Sequence, residues 1–437
     1  MGTGQSGQPG GRPEDTDRPG RTGLDHRGGG DGSPAEAADW EPPTETERLL
    51  YRAASTGDWD TFYERLGNTH LFFPQRQELS DVLGGARLPA FRSEQPPGLS
   101  VPVFTRGMMP PPTPGQVYEM TTLYHLARHW LRSADWLAVN PGTPLETFVP
   151  SRPRRWKRHA QRCDRLDQPR LMTLRTGRLR DTVAHGMACG ALPMVDSHEL
   201  WNDPGWHSRG YTYQRDELRH LWGITSRDTW LPRLAALVHA EHHDPLWEFV
   251  LQVRTAFRDA YHLLPDAGQW QQTTEQVMLG RTAEIVDATN RPPDFDLDTA
   301  IARTNALIER ILRCEARFRA DGVLGPDPGD IVRSVTAWDF GVGSGMARWG
   351  VGARFGEVAE AEEALRRISE GARSVYRSWA DFAAGYLLGR CLHAGDEEFG
   401  TWYTELAAVH RLLRADPESP WLTVPWSDLP GDGAAAS

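Results

Sequence analysis

The densest group of residues able to do chemistry is His239, Glu241, His242 and His243, with His198, Glu199 and His207 upstream. His239 and His243 lie four apart, which on a helix places both imidazoles on one face at the spacing a zinc pair uses. The order His-Ala-Glu-His-His is not HExxH, and no cysteine or aspartate at ligand spacing completes a site. The same run, just before Asp244-Pro245, also reads as a helix C-terminus, where histidines meet the negative end of the dipole. That second reading is preferred, so neither a metal nor a cofactor is expected.

Another candidate is Ser378 to Arg390. Trp379, Phe382, Ala383 and Tyr386 line one helix face. Arg390 returns to within about 20° of Trp379 at about 100° per residue. An arginine on an apolar face has to be paired or has to bind an anion. Asp339 is the expected partner, because it borders a second tryptophan stripe. Two readings stand: a buried Asp339–Arg390 pair tying two helices, which is preferred, or an anion pocket clamped by Arg390. An enzyme reading would gather Asp339, Arg390, Arg348 and the His239–His243 cluster around one helical pocket.

Gly341, Gly343 and Gly345 follow Trp338-Asp339 and suggest a phosphate loop, but such a loop needs a preceding strand. Here the run is helical, with Val335, Trp338, Val342, Gly345 and Trp349 as a stripe. The glycines are expected to let a neighbouring helix approach closely. GxSxG, GxxxxGK[ST] and a paired His and Cys motif do not occur, so the usual serine, cysteine and phosphate-loop chemistries lack their starting signals.

The elements that must hold these residues read as mainly helical from about Asp181 to residue 427. Helices are expected at 181–190, 214–222, 230–243, 245–263, 298–320, 330–350, 357–375, 377–393 and 398–414, and 12 of the 17 tryptophans lie between Trp201 and Trp426. Residues 44–150 read as a small α+β domain. Thr44 with Glu47 is a capping box opening its first helix, and Asp58-Trp59-Asp60 starts a second. Strands are expected at 70–73, 101–105 and 136–140, with an amphipathic helix through Leu123, Leu126, Ala127 and Trp130.

Residues 1–43 read as a disordered tail, too poor in apolar side chains to offset the entropy of ordering, and 428–437 as a disordered end. Residues 151–180 form a basic connector. Within 152–180, 11 Lys or Arg face two Asp, a charge of +9 in a chain whose net charge is −11. The run is read as a solvated connector answered by acidic neighbours, with nucleic-acid contact as the alternative; a single tryptophan, Trp156, is too little for a stacking platform.

The four cysteines, Cys163, Cys189, Cys314 and Cys391, form no CxxC pair, which fits a reducing compartment. No signal peptide and no membrane span is visible, so a soluble cytoplasmic protein is expected. Lys157 is the only lysine beside 47 arginines, a codon bias that points to a bacterium with a GC-rich genome.

The stretch Ala337-Trp338-Asp339-Phe340-Gly341, then Ala347-Arg348-Trp349-Gly350, then Ser378-Trp379 with Phe382, Tyr386, Gly389 and Arg390, resembles the signature of domain of unknown function 1266 (DUF1266). Leu221-Trp222-Gly223-Ile224 with Trp230-Leu231 fits its tryptophan-rich front half, and the resemblance spans roughly 185–427. Val342 stands where many members carry Arg. Residues 44–150 resemble the SseB N-terminal domain through Leu49-Leu50, Phe62-Tyr63, Leu71-Phe72-Phe73-Pro74, Val101-Pro102-Val103-Phe104-Thr105 and Val139-Asn140-Pro141-Gly142. Neither resemblance implies an activity or catalytic residues. The expected function is protein binding or scaffolding, with another protein as partner. The alternatives are an enzyme of unrecognised type and nucleic-acid contact through the basic connector.

Overall fold

In the computed structural model, residues 40–84, 87–111, 113–161, 169–205, 209–292, 294–397, 399–427 and 429 are described. The chain divides into two compact units at Leu166/Asp167. The tail expected at 1–43 lies outside the described residues except for residues 40–43. There Trp40 packs edge-on against Tyr51 at 5.6 Å, so order begins before the expected boundary. Cys163 and His207 also lie outside the described residues, as does 428–437 apart from Leu429, which packs against the second core.

The first unit is α+β. Its helices are α1 (Glu45–Thr56), α2 (Trp59–Gly67), α3 (Gln77–Leu83), α4 (Leu123–His129) and α5 (Pro153–Gln161). Its strands are β1 (Leu71–Arg76), β2 (Phe91–Glu94), β3 (Pro97–Thr105), β4 (Gln116–Thr121), β5 (Trp136–Val139) and β6 (Thr147–Pro150). The sheet order is β4-β1-β3-β5-β6, with β2 paired to β3. Only β3 and β5 run parallel, Val101 opposite Leu137.

Alternation along the strands divides the side chains between the two faces. Leu71, Phe73, Val103, Leu137 and Val139 enter one core with Leu50, Phe62, Leu66 and Leu126 of the helices. Phe72 points the other way, under the Arg106 guanidinium at 5.4 Å. The expected capping box is not formed. Thr44 makes no cap bond to the backbone and donates to Glu47 instead, and buried Glu47 accepts from the Gly107 amide at 3.0 Å. Asp58 caps α2 as expected, accepting from the Thr61 amide at 3.1 Å.

Part of the basic segment is not a connector in form. Residues 153–161 are α5, whose Trp156 is fully buried, 4.6 Å from Trp130 and edge-on to it. Its charge is answered locally: Arg155 pairs with Asp60 at 3.1 Å and lies over Tyr63. Farther along, Arg178 pairs with Asp181 and with Glu362, and Arg175 with Glu418.

The second unit is helical: α6 (Thr182–Cys189), α7 (Ala191–Asp196), α8 (Tyr211–Trp222), α9 (Arg227–Val238), α10 (Pro245–Tyr261), α11 (Ala267–Thr289), α12 (Leu297–Ala320), α13 (Thr336–Gly352), α14 (Val358–Val375), α15 (Trp379–His393), α16 (Thr401–Ala415) and α17 (Pro420–Thr423). α13 lies at its centre, with α6, α7, α8, α9, α14 and α15 against it. A helix apolar all round has to be buried, and α13 is covered on every side. Two of its glycines are the close approaches expected of them. A Cβ at Gly341 would strike the Tyr386 ring of α15 and one at Gly343 would crowd Ile368 of α14, whereas at Gly345 it would meet Trp349 of α13 itself.

α10, α11 and α12 are joined by a buried pair that the sequence reading does not anticipate. Arg254 donates to both oxygens of Glu315 at 3.0 and 2.8 Å and to the Val332 carbonyl at 2.7 Å. Trp270 covers the guanidinium at 4.3 Å.

Candidate functional site

The histidine run is the turn between α9 and α10. His239 ends α9, and Ala240 follows with φ +56°, a left-handed conformation that favours glycine. The amides of Ala240 and Glu241 close the helix onto the carbonyls of Leu237 and Ala236 at 3.2 and 2.8 Å. Asp244 then caps α10 through the Leu246 amide at 2.9 Å. The turn is thus fixed at both ends.

Its middle is held by Asp339, fully buried on α13. One carboxylate oxygen, Oδ2, accepts from the amides of His242 and His243 at 2.8 and 3.2 Å and lies 3.0 Å from His243 Nδ1. The expected Asp339–Arg390 pair is therefore not made. The turn brings two amides and an imidazole to Oδ2, while Oδ1 is buried without a hydrogen-bond partner among the described residues. Burial works to lower the His243 pKa, but the hydrogen bond and charge of Asp339, aided by Glu248 and Asp244, outweigh it, and the net shift is upward.

His243 also lines an open cleft of about 1240 Å³. Glu248 and Phe249 of α10, Arg281 of α11, Phe340 of α13 and Glu370 of α14 share that lining. With Nδ1 committed to Asp339, Nε2 is the nitrogen left for a ligand. Glu248 is engaged: its Oε2 accepts from the Ser334 hydroxyl and the Val335 amide, each at 3.1 Å. Arg281 lies over Phe249 at 4.9 Å.

What the arrangement can do is polarise His243 as an acid or base. Among the described residues its side-chain hydrogen bond runs to Asp339, with no nucleophile for it to activate. Cys189, Cys314 and Cys391 are buried, and burial pushes the Cys189 thiol far above its ordinary value. His239 lines the cleft too, but among the described residues no three His, Cys, Asp or Glu side chains gather at metal-binding distance. His242 turns away from the zinc geometry, its Nδ1 3.0 Å from Arg233 Nη1 and its ring 5.5 Å from Trp222.

Arg348 and Arg390 stand apart from the cleft lining. Arg348 is buried and donates to the carbonyls of Leu200, Trp201 and Ser344 at 2.9, 3.1 and 3.3 Å. Burial lowers its pKa to about 10 against the pull of Glu199 and Asp203. It clamps the chain after α7. Arg390 is half-buried over Trp402 and Trp338, at 4.4 and 5.7 Å from the ring centroids. Asp339, Arg390, Arg348 and His243 therefore do not form one constellation.

The remaining signature residues explain themselves as packing. A Cβ at Gly389 would collide with Trp338, so glycine lets α15 cross α13 closely. Trp379 donates to the Val424 carbonyl at 2.9 Å and meets Trp426 edge-on at 4.8 Å, Phe382 is buried beside them, and Tyr386 is buried against Trp338 at 5.3 Å. Trp349 packs partly buried against the same core.

Among the described residues no helix is long and apolar enough to cross a membrane. No curated protein and no solved structure matches the chain. Residues 217–426, which hold the tryptophan-anchored motifs, the His243–Asp339 turn and the cleft, match the model of the family described as Protein of unknown function (DUF1266).

Proposed function

We propose that this chain works by binding another protein, and that its helical unit receives a segment of that partner in the cleft beside His243. The observation that carries the reading is the cleft itself, about 1240 Å³ and open, with apolar Phe249 and Phe340 beside charged Glu370 and Arg281. A mixed lining of this kind suits a peptide segment with one apolar anchor and polar flanks. The first unit, read as SseB N-terminal-like, is a second module of the same binding protein, located with it in the cytoplasm.

The test uses the full-length tagged chain and two variants, Phe249→Asp and Glu370→Arg, with capture from a native host. A stoichiometric protein held by the parent chain and lost from both variants supports the cleft as its seat. A partner held equally by all three removes the cleft from the proposal.

The enzyme reading has one observation in its favour, the hydrogen-bonded Asp339–His243 pair at the cleft wall. It would replace the binding reading if a captured ligand were chemically changed by the parent chain and only bound by His243→Gln.

A further inference from the structure

Arg390 differs from three other buried or half-buried arginines of the helical unit. Arg254 gives both Nη atoms to Glu315 and a carbonyl, Arg348 gives Nε and Nη1 to three carbonyls and leaves Nη2 without a partner among the described residues, and Arg310 donates to the carbonyls of Cys391, Leu392 and Gly395. Arg390 is half-buried in the last turn of α15, yet among the described residues its guanidinium makes no hydrogen bond and no ion pair. Its contacts are the rings of Trp402 and Trp338, at 4.4 and 5.7 Å.

Indole rings answer the charge but accept none of the five N–H donors, since indole nitrogen is itself a donor. The Trp402 nitrogen, moreover, is already given to the Glu397 carbonyl at 2.8 Å. Two ring contacts hold the guanidinium in place and leave its fork unused, a preorganised arrangement for taking an oxyanion in bidentate fashion.

We propose that Arg390, held by Trp338 and Trp402, is a binding site for a small oxyanion, a carboxylate or a phosphate group. The site is separate from the cleft, whose lining includes none of these three residues. His393, its ring 5.5 Å from Trp338, adds a second donor-bearing side chain on the same turn of helix. Among the described residues Asp196 is an acidic group in electrostatic reach of Arg390. Desolvation and then Glu405 push its carboxyl up, while Arg209 and Arg390 pull it down. It competes with an incoming anion without pairing to Arg390, so its removal should favour binding.

The experiment follows the guanidinium and Trp402 side-chain NMR signals of the full-length protein during titration with sodium phosphate and, separately, sodium acetate, at ionic strength fixed with chloride. Expected is a saturable shift with at least one anion, abolished in Arg390→Met and weakened about tenfold in Arg390→Lys, which keeps the charge and loses the fork. Asp196→Asn, which leaves Arg390 and both rings in place, should tighten binding several-fold. Saturation by phosphate alone assigns a phosphate-bearing ligand, and saturation by acetate alone a carboxylate. A response to both anions that never saturates, or one that Arg390→Met retains, overturns the proposal.

Discussion

At the scale of single residues, the buried histidines set how the protein meets acid. His410 is buried in α16 with neither ring nitrogen bonded, 5.7 Å from Trp421. Burial first, then Arg414 and Arg411, hold its pKa down to about 4 from 6.5. His185, bonded to Ser369 through Nδ1 and covered by Trp379, is held down to about 3 by burial and Arg373. A base whose folded pKa is depressed stabilises the fold above its unfolded value and loses that contribution as pH falls from there toward its folded value. His243 has the opposite sign. Its raised pKa gives stability that is complete below the unfolded value and fades as pH rises through the folded one. Below the unfolded value the contributions of His410 and His185 fade while that of His243 is complete. In urea unfolding, the parent chain should lose about 2 kcal/mol more than His410→Leu between about pH 7 and about pH 5. Parallel losses in the two proteins would show that His410 is not the group that titrates.

At the scale of elements, one substitution tells a central helix from a peripheral one by its sign. Gly350 on α13 faces Trp230, whose indole nitrogen is fixed on the Met346 carbonyl at 3.0 Å, and an added Cβ would run into that ring. Gly350→Ala is therefore expected to cost about 2 kcal/mol or more. Gly280, inside α11, has nothing within 4 Å of an added Cβ. Gly280→Ala should add about 1 kcal/mol through helix propensity and a less free unfolded chain. Thermal unfolding of both variants checks the pair, and stabilisation of both would mean that α13 is not packed as described.

The same contrast explains what could be read from the sequence. α13 and α15 announce themselves through tryptophan stripes and glycines, and their close packing follows. α11 does not, because only Trp270 and Thr274 of its 23 residues are buried, so no apolar period marks it. β4 is hidden by Glu119, a carboxylate buried in the middle of a strand and bonded to the Ser80 hydroxyl at 2.8 Å. The site was legible in its parts alone. Asp339 and His243 could each be named as candidates, but the pairing depends on a turn whose backbone amides no side-chain pattern reveals.

At the scale of the whole molecule, each unit is built on its own core, and the two sets of buried residues have no member in common. Trp156 is the informative position, because it lies in the basic segment at the C-terminal end of the first unit and yet completes the first core. Its ring is fully buried against Trp130, so Trp156→Ala leaves a large cavity, expected to cost about 3–5 kcal/mol. Two cores imply two cooperative units, and the loss should stay within the unit that holds the cavity. Hydrogen exchange read by mass spectrometry separates the outcomes. Peptides from 45–161 should lose protection in the variant, while those from 182–424 should exchange as in the parent chain. Trypsin supplies an independent check, with cleavage between the two units expected before any within 330–393. If instead the helical unit lost protection in step with the first, the chain would be one thermodynamic unit. Binding by either module would then have to be studied in the intact protein.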